Sequence, residues 1–504
     1  MRRVRKKKNI KVDRISELPE CIVHDILSYL PIEDVVQTTI LSKRWYSMNK
    51  NYPVLCFDFD YFIKNLKEKF AEGSSDFRKA LKTHRKYVYK SLRRFSRKKV
   101  LLQAFCVRKF SVTYPELHPH LDSWITSGLE NCLQKLELNL RFCSPSLYTL
   151  PLPVFASKSL TSLELTSCFL DQPLTLFSSL INLNLRWCLL NGPITLKDAD
   201  CPLLENLTLD SCEGFNRVYI HNLLRLHSVD FYETCYTSVV KVKIGSQSIQ
   251  NVSITASSLA RDWVKINIDA CDHLKFLLLR CEGLEQKKFH SLIAKLPLLE
   301  ELYIFNCEQL RAIKISSPRI KTLLVCPSCN DTCLKTIEIA APRLENFIFI
   351  SERQREKPRV IKVADCCVGL KTLVLRCKVI TDKMFHKLIS KCHLLESLWI
   401  FACNKLQRIK ILNPQLKRLH IVRCPKLQTV EVGSQNLWEL FCGGSKEPEI
   451  SVADHLYKTD GLRFVHEVDL DFDFLSYGLA KMLRCFIRDK DLVEIITDDC
   501  CTIF

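Results

Sequence analysis

Glycine is scarce in this sequence, 12 among 504 residues, and no glycine-rich loop of the kind that cradles phosphate occurs. That absence argues against P-loop and dinucleotide-binding proteins. Long apolar runs are missing too. No stretch of 18 apolar residues is present, so no membrane-spanning helix is expected. The basic start, MRRVRKKKNIKV, is not followed by an apolar segment and does not read as a secretory signal. None of the 13 histidines sits beside a Ser, Cys or Asp in a recognisable nucleophile setting, and no H-E-x-x-H, G-x-S-x-G or Walker motif is found. Catalytic residues, a metal site and a cofactor are therefore not expected. The string nearest to a metal site, CPSCNDTC, offers Cys326, Cys329 and Cys333, three thiols where structural zinc uses four ligands. It reads as a repeat cysteine followed by loop thiols.

What is present points elsewhere. A hydrophobic content of 47% excludes wholesale disorder. Twenty-six cysteines would suggest disulfides in a small secreted protein. In a large chain without a secretory signal they read as reduced, buried thiols acting as small hydrophobes, and the nucleus, the cytoplasm or both are the expected setting. The net charge of +19 is uneven: residues 1–14 carry +7, residues 15–63 carry −4, residues 64–109 carry +13, and the other 395 carry only +3. A nucleic-acid-binding surface along the body of the chain is disfavoured, because it would need basic side chains there. RRVRKKK can serve as a nuclear-import string.

Residues 16–48 have the pattern of three short helices. Ser16 can cap the first, with Pro19 in its opening turn; Ile22, Ile26, Leu27 and Leu30 follow at helical spacing until Pro31 ends it. Val35, Val36 and Ile40 continue the pattern, and Ser42 can cap a last helix bearing Trp45. About 35 residues cannot build an independently stable core, so packing on the next segment or on a partner must help. Residues 51–63 read as an exit strand, and the basic run that follows as a solvated helical connector.

From about residue 132 a repeat sets in. SLTSLELTSC, SLINLNLRWC, LLENLTLDSC, LLEELYIFNC, LLESLWIFAC and QLKRLHIVRC each place an alternating L-x-L before a cysteine, and where such units follow one another directly their terminal cysteines lie 20 to 26 residues apart, as at 168, 188 and 212, at 281 and 307, and at 377, 403 and 424. That is the period of leucine-rich repeats. The L-x-L reads as a short strand with its leucines inward, and the Cys as the turn leaving it. A larger unit is duplicated: FHSLIAKLPLLEELYIFNC recurs as FHKLISKCHLLESLWIFAC, and LRAIKI as LQRIKI, each 96 residues on. FHSLIAKL and FHKLISKC predict outer helices; LRAIKI, LQRIKI and LQTVEV predict outer strands. The tail, 446–504, loses the repeat and reads as a terminal cover, with a strand at VDLDFDF and a helix at LAKMLRCFI.

The helical segment resembles the plant-type F-box that often heads leucine-rich-repeat proteins. Leu18-Pro19, Ile26-Leu27-Ser28, Leu30-Pro31 and Leu41-Ser42-Lys43-Arg44-Trp45 carry the resemblance. The family usually continues with Leu-Trp, where this chain has Met48-Asn49. The resemblance implies docking on a Skp-type adaptor, and through it on a cullin, by Leu18, Pro19, Ile22, Ile26, Leu27, Leu30, Pro31, Leu41 and Trp45, as helix-in-groove anchors. Ile22, Val35 and Trp45 can equally pack inside the module. The expected fold is α/β: a small all-helical F-box (13–50) after a basic tail (1–12), a basic, partly helical connector (51–130), a leucine-rich-repeat solenoid with parallel strands inside and helices or extended turns outside (131–445), and the cap (446–504).

Strand alternation places the binding surface. If Leu302 and Ile304 point inward, Tyr303 and Phe305 point out on the concave sheet; likewise Trp399 and Phe401, then His420. Earlier repeats put Glu164, Thr166, Asn184, Arg186, Thr208 and Asp210 there. Outward aromatics suit recognition of a protein target; a tail folded back over them is the competing expectation. The function expected is that of a non-catalytic substrate adaptor of a ubiquitin ligase. A basic nucleic-acid-associated protein using residues 1–14 and 64–109, and a small-molecule sensor with a pocket in the solenoid, are the alternatives.

Overall fold

A computed structural model describes residues 18–30, 32–65, 75–98, 101–111, 118–141, 147–233, 240–256, 264–281, 283–327, 334–351, 360–365, 367–444, 448–452 and 462–466. Ser16, Pro31, Cys329, Cys333, the RRVRKKK string and the VDLDFDF and LAKMLRCFI segments lie outside the described residues. The chain divides into two compact units, 1–226 and 227–504.

The first unit opens with three helices, α1 (Glu20–Ser28), α2 (Ile32–Gln37) and α3 (Lys43–Asn51), with a 3-10 turn at Thr38–Ile40. Pro19 caps α1, and the Ser42 hydroxyl caps α3 by accepting from the Trp45 N–H at 3.2 Å. Val23, Leu27, Ile32, Val35, Trp45 and Met48 fill the interior. So small a core needs help, and two polar ties supply it. The Asn49 side chain, buried where the family resemblance leads one to expect Trp, donates to the Val35 carbonyl and to Thr38 Oγ1. The Tyr61 hydroxyl donates to Asp34 Oδ2 at 2.6 Å from the next segment.

That segment runs β1 (Val54–Asp58), α4 (Phe59–Asn65), α5 (Ser75–Lys98), β2 (Ala104–Ser111), α6 (His118–Glu130) and β3 (Lys135–Arg141). The exit strand is shorter than expected from 51–63, because the Asp58 carboxylate accepts from the Tyr61 N–H and turns the chain into α4. Helix α5 buries Ala80, Leu81, His84, Val88 and Leu92 and exposes Lys82, Lys86, Lys90 and Arg93. A connector helix with a solvated basic face is what its sequence predicts.

Strands β1, β2 and β3 pair in parallel, and Ser162–Thr166, Asn182–Arg186 and Asn206–Asp210 extend the sheet one repeat at a time. Leu163, Leu165, Leu183, Leu185, Leu207 and Leu209 are buried while the residues between them are partly or fully exposed.

Among the described residues of the second unit eleven parallel inner strands follow one another: Ser228–Glu233, Asn251–Ala256, Phe276–Cys281, Glu301–Phe305, Thr322–Cys326, Asn346–Ser351, Thr372–Cys377, Ser397–Phe401, Arg418–Val422, Glu439–Gly444 and Leu462–His466. The outer layer mixes short strands, among them Ala312–Ser316, Arg408–Ile411 and Thr429–Val432, with helices Gln286–Ala294 and Asp382–Ile389, as the sequence predicts. The 96-residue duplication is visible in hydrogen bonds. Gln286 Oε1 accepts from the Arg311 and Ala312 N–H groups at 2.8 and 2.9 Å; Asp382 accepts from Gln407 and Arg408 at 2.9 and 3.2 Å. His290 Nε2 accepts from the Lys314 N–H, and His386 Nε2 from Lys410.

The recurring cysteine has a physical role. The residue before it adopts a left-handed backbone in repeat after repeat: Ser167, Trp187, Ser211, Asn306, Ala402 and Arg423 have φ of 60°, 53°, 53°, 43°, 46° and 53°. That kink drops the chain below the sheet and turns the next side chain inward. Cys188, Cys212, Cys307 and Cys403 are buried there, each thiol donating to a carbonyl of the preceding repeat, Leu165, Leu185, Leu279 and Leu375, at 3.3 to 3.9 Å. The thiol is small, apolar enough to be buried, and still a weak donor.

Candidate functional site

Two surfaces are candidates. The first is the helical module. Of the nine residues expected at the adaptor interface, Pro19, Ile22, Ile26 and Leu41 are exposed, Leu18 and Leu30 are half-buried, and Pro31 lies outside the described residues. Leu27 and Trp45 are 0% and 3% exposed and belong to the module's own core. They cannot touch a partner directly; they hold the helices that do. Of the three residues read as equally able to pack inward, Val35 and Trp45 do so and Ile22 does not.

Four residues absent from the expected set join the exposed ones. Tyr29, Val36, Ile40 and Tyr46 are solvent-exposed, so seven of the seventeen exposed large hydrophobics among the described residues fall between 20 and 52. Scattered apolar side chains are normal on a surface; this density is not. On α1 the exposed stripe Ile22, Ile26, Tyr29 runs at i, i+4, i+7 beside the buried stripe Val23, Leu27. The helix is apolar on two faces and only one is used internally. Next to it, burial pushes the Glu33 carboxyl up to about 7.

The second candidate is the outward face of the inner strands, the face opposite the outer layer. In the first unit it is polar. Arg108 clamps Glu137 with two hydrogen bonds, and Lys135 reaches Glu164 at 2.6 Å. Burial opposes ionisation of Glu137, yet the Arg108 partner and the Lys135 charge hold its carboxyl below the usual range.

In the second unit the same face is apolar. Register places Leu278, Tyr303, Leu324, Ile348, Val374, Trp399, His420 and Phe441 in one row across eight strands. The next row carries Arg280, Phe305, Cys326, Arg376, Phe401 and Val422. All five residues expected at the target surface therefore share one face, but not one environment. Tyr303 and Phe305 are 0% and 5% exposed and are not open to a target, a correction to the expectation. Trp399, Phe401 and His420 remain half-buried. The Trp399 and His420 rings stack with centroids 3.8 Å apart, Phe401 lies 6.1 Å from Trp399, and Phe441 stacks on His420 at 5.6 Å. His420 Nε2 and Glu439 Oε1 are 3.0 Å apart. Burial holds the imidazole below the usual histidine range although Glu439 pulls the other way.

An open groove of about 480 Å³ lies on the outer layer, lined in part by Lys314, Lys362, Lys387 and Lys391. Glu338 in its floor is paired with Lys314 and Lys362 at 3.2 and 2.9 Å. Among the described residues no cluster of three or more His, Cys, Asp or Glu could hold a metal, and no helix is long and apolar enough to cross a membrane.

Comparison with known proteins follows this division. A family model for the F-box domain matches residues 15–50. Models described as "FBD-associated F-box protein At5g56370, LRR repeats" and "At1g61320/AtMIF1, LRR domain" match residues 244–367 and 357–483. The Arabidopsis thaliana "Putative F-box/LRR-repeat protein At5g02930" is 26% identical over 230 residues, 45% of this chain and 44% of that protein. "F-box/FBD/LRR-repeat protein At1g13570", also from Arabidopsis thaliana, is 32% identical over 163 residues, covering 32% and 34%. The match spans less than half the length of these relatives. A leucine-rich-repeat protein of Leptospira interrogans overlaps 61% of this chain and 86% of its own at 14% identity, with a TM-score of 0.28, too slight to carry an argument. A helical module matching the F-box model, joined to parallel-strand repeats matching two leucine-rich-repeat models, is the combination found in the plant F-box/leucine-rich-repeat proteins to which this chain is similar.

Proposed function

We propose that this protein is the substrate-recognition subunit of a Skp–cullin–F-box ubiquitin ligase. The observation that carries the reading is the second apolar stripe of α1 with its neighbours: Ile22, Ile26 and Tyr29, then Val36, Ile40 and Leu41, in a module whose interior is already filled. Exposed apolar side chains on short helices suit a groove on a partner helix bundle. The family's adaptor is the partner of that chemistry. On this reading the chain performs no bond chemistry; it holds a target near a ubiquitin-loaded enzyme and contributes proximity.

The target would meet the repeats. Trp399, Phe401 and His420 are the residues to which we assign first contact, because they are the expected aromatics still reachable from solvent. Replacing Trp399 and Phe401 with Ala should abolish target capture and leave adaptor binding intact; unchanged capture rejects the assignment. The adaptor reading is tested by pull-down of a Skp-type adaptor with wild-type protein and with Ile22→Asp/Ile26→Asp. Capture by wild type and loss in the variant is expected. Equal capture by both would place the contact elsewhere.

A further inference from the structure

Two cysteines stand outside the repeat pattern. Cys56 and Cys106 lie mid-strand in LCFDF and FCVRK, away from the turn that the repeat cysteine marks. Strands β1 and β2 run parallel, and register sets Leu55 beside Phe105, Cys56 beside Cys106 and Phe57 beside Val107. Leu55, Phe57, Phe105 and Val107 are buried in the interior. Alternation therefore turns both thiols to the outward face, the one on which Arg108 clamps Glu137. Glu137 follows Cys106 in the same row, on β3.

Neighbouring strands are about 4.8 Å apart, inside the Cα separation of about 4.4–6.8 Å that a disulfide spans. The two side chains already meet, Cys106 donating a hydrogen bond to Cys56. Both thiols are reduced. Cys106 is 4% exposed and Cys56 half-buried, so a reagent arriving from solvent meets Cys56 first. The hydrogen bond from Cys106 pulls the Cys56 thiol below the usual range, helped by the Arg108 charge and opposed by burial. The same contact, together with burial, pushes Cys106 up. One sulfur is placed to ionise and be reached; the other keeps its proton behind it. Cys168, Cys188 and Cys212 also touch one another, but all three are buried.

We propose that Cys56 and Cys106 form a dithiol modification site, that its co-reactant is a low-molecular-weight disulfide, and that the product is a reversible cross-strand disulfide. The site is independent of the adaptor reading. The Cys56 thiolate attacks one sulfur of the reagent RSSR; the RS–SR bond breaks, and RS⁻ takes the proton that Cys56 gave up. Cys106 then attacks the Cys56 sulfur of the mixed disulfide and expels the second RS⁻, which takes the Cys106 proton. The two protein thiols lose two electrons in all, and one RSSR becomes two RSH. A relaxed disulfide holds its Cβ atoms about 3.8 Å apart, closer than strands spaced at about 4.8 Å, so this bond is strained and readily reduced again.

The test uses the full, reduced chain in native buffer with oxidised glutathione as the probe. Remaining thiols are then alkylated, and the digest is mapped by mass spectrometry. A Cys56–Cys106 linked peptide that dithiothreitol removes is expected. In Cys106→Ser the linkage should be lost and glutathione should remain trapped on Cys56; in Cys56→Ser no glutathione should appear on Cys106. In wild type, two alkylated thiols, a bond from either cysteine to a third, or a mixed disulfide that persists on Cys56 would overturn the proposal. So would a Cys106→Ser chain with Cys56 unmodified. The wild-type map decides the linkage even if a variant fails to fold.

Discussion

At the scale of the residue, the repeat is built around one strained position and one thiol. A left-handed backbone costs an L-residue roughly 1–2 kcal/mol, a cost glycine escapes while losing about 0.5–1 kcal/mol of chain entropy. Ala402, at φ 46° ahead of Cys403, bears that strain with no large side chain to anchor it. Ala402→Gly should therefore stabilise the protein by about 0.5 kcal/mol, seen as a shift of the urea midpoint at unchanged slope; a destabilised variant would show that the turn is not strained. The recurring cysteine was legible in the sequence, because its spacing marks the turn. The glycine-like residue before it was not, since Ser, Trp, Asn, Ala and Arg share no local signal for positive φ.

The same scale explains the mixed outcome in the helical module. Spacing finds an apolar stripe but cannot tell which of two stripes faces in when both are apolar. Val23 and Leu27 turned inward, Ile22 and Ile26 outward. Trp45→Ala should cost about 3–5 kcal/mol of stability, as for other buried aromatics. Ile26→Ala should leave the melting curve nearly unchanged and weaken adaptor binding about ten-fold or more, as a groove anchor would. Calorimetric melting and adaptor titration of the two variants separate the roles; a large loss of stability in Ile26→Ala would contradict them.

At the scale of the element, burial sets two titrations of opposite sign in the first unit. His84 on α5 is fully buried among the edges of Phe57, Phe59 and Phe62, with centroids 6.1, 5.3 and 5.0 Å away. Burial pushes its pKa down to about 4, so its neutral form supports the fold above pH 6.5, and that support is lost as pH falls toward 4. Glu33 on α2 is the reverse. Its pKa is raised to about 7, so stability is full below pH 4.5 and drains as pH rises through 7. Glu33→Gln should be more stable than wild type at pH 8 and indistinguishable from it at pH 4, measured by urea unfolding at both. Equal stability at pH 8 would mean that the carboxyl is solvated.

Strand alternation was the element-level signal that worked least evenly. LELT, LNLR and LTLD alternate leucine with polar residues, and the structure buries one face. ELYIF, TLLVC and NFIFI are apolar from their second residue on. A strand buried on both faces reads as a continuous apolar run, so the spacing that put Tyr303 outward was right about direction and wrong about water. What covers a face is a long-range fact. No repeat carries it in its own residues.

At the scale of the whole molecule, charge and apolar surface are separated along the sequence. The excess positive charge sits before residue 110, the exposed apolar stripe before residue 52, and the repeats are close to neutral. Fold class, repeat period, duplication and mixed outer layer could all be read from periodicity, because each repeat contacts its neighbours in sequence order. Partners could not be read that way. They depend on which apolar side chains remain in water.

The central claim is that the front helices present a preformed apolar surface to a Skp-type adaptor. Isothermal titration of the purified chain with such an adaptor tests it most directly. The account predicts binding at micromolar affinity or tighter, and a loss of at least 100-fold in Ile22→Asp/Ile26→Asp with an unchanged circular-dichroism spectrum. No heat of binding from the wild-type chain, or an affinity unaffected by the two substitutions, would contradict it.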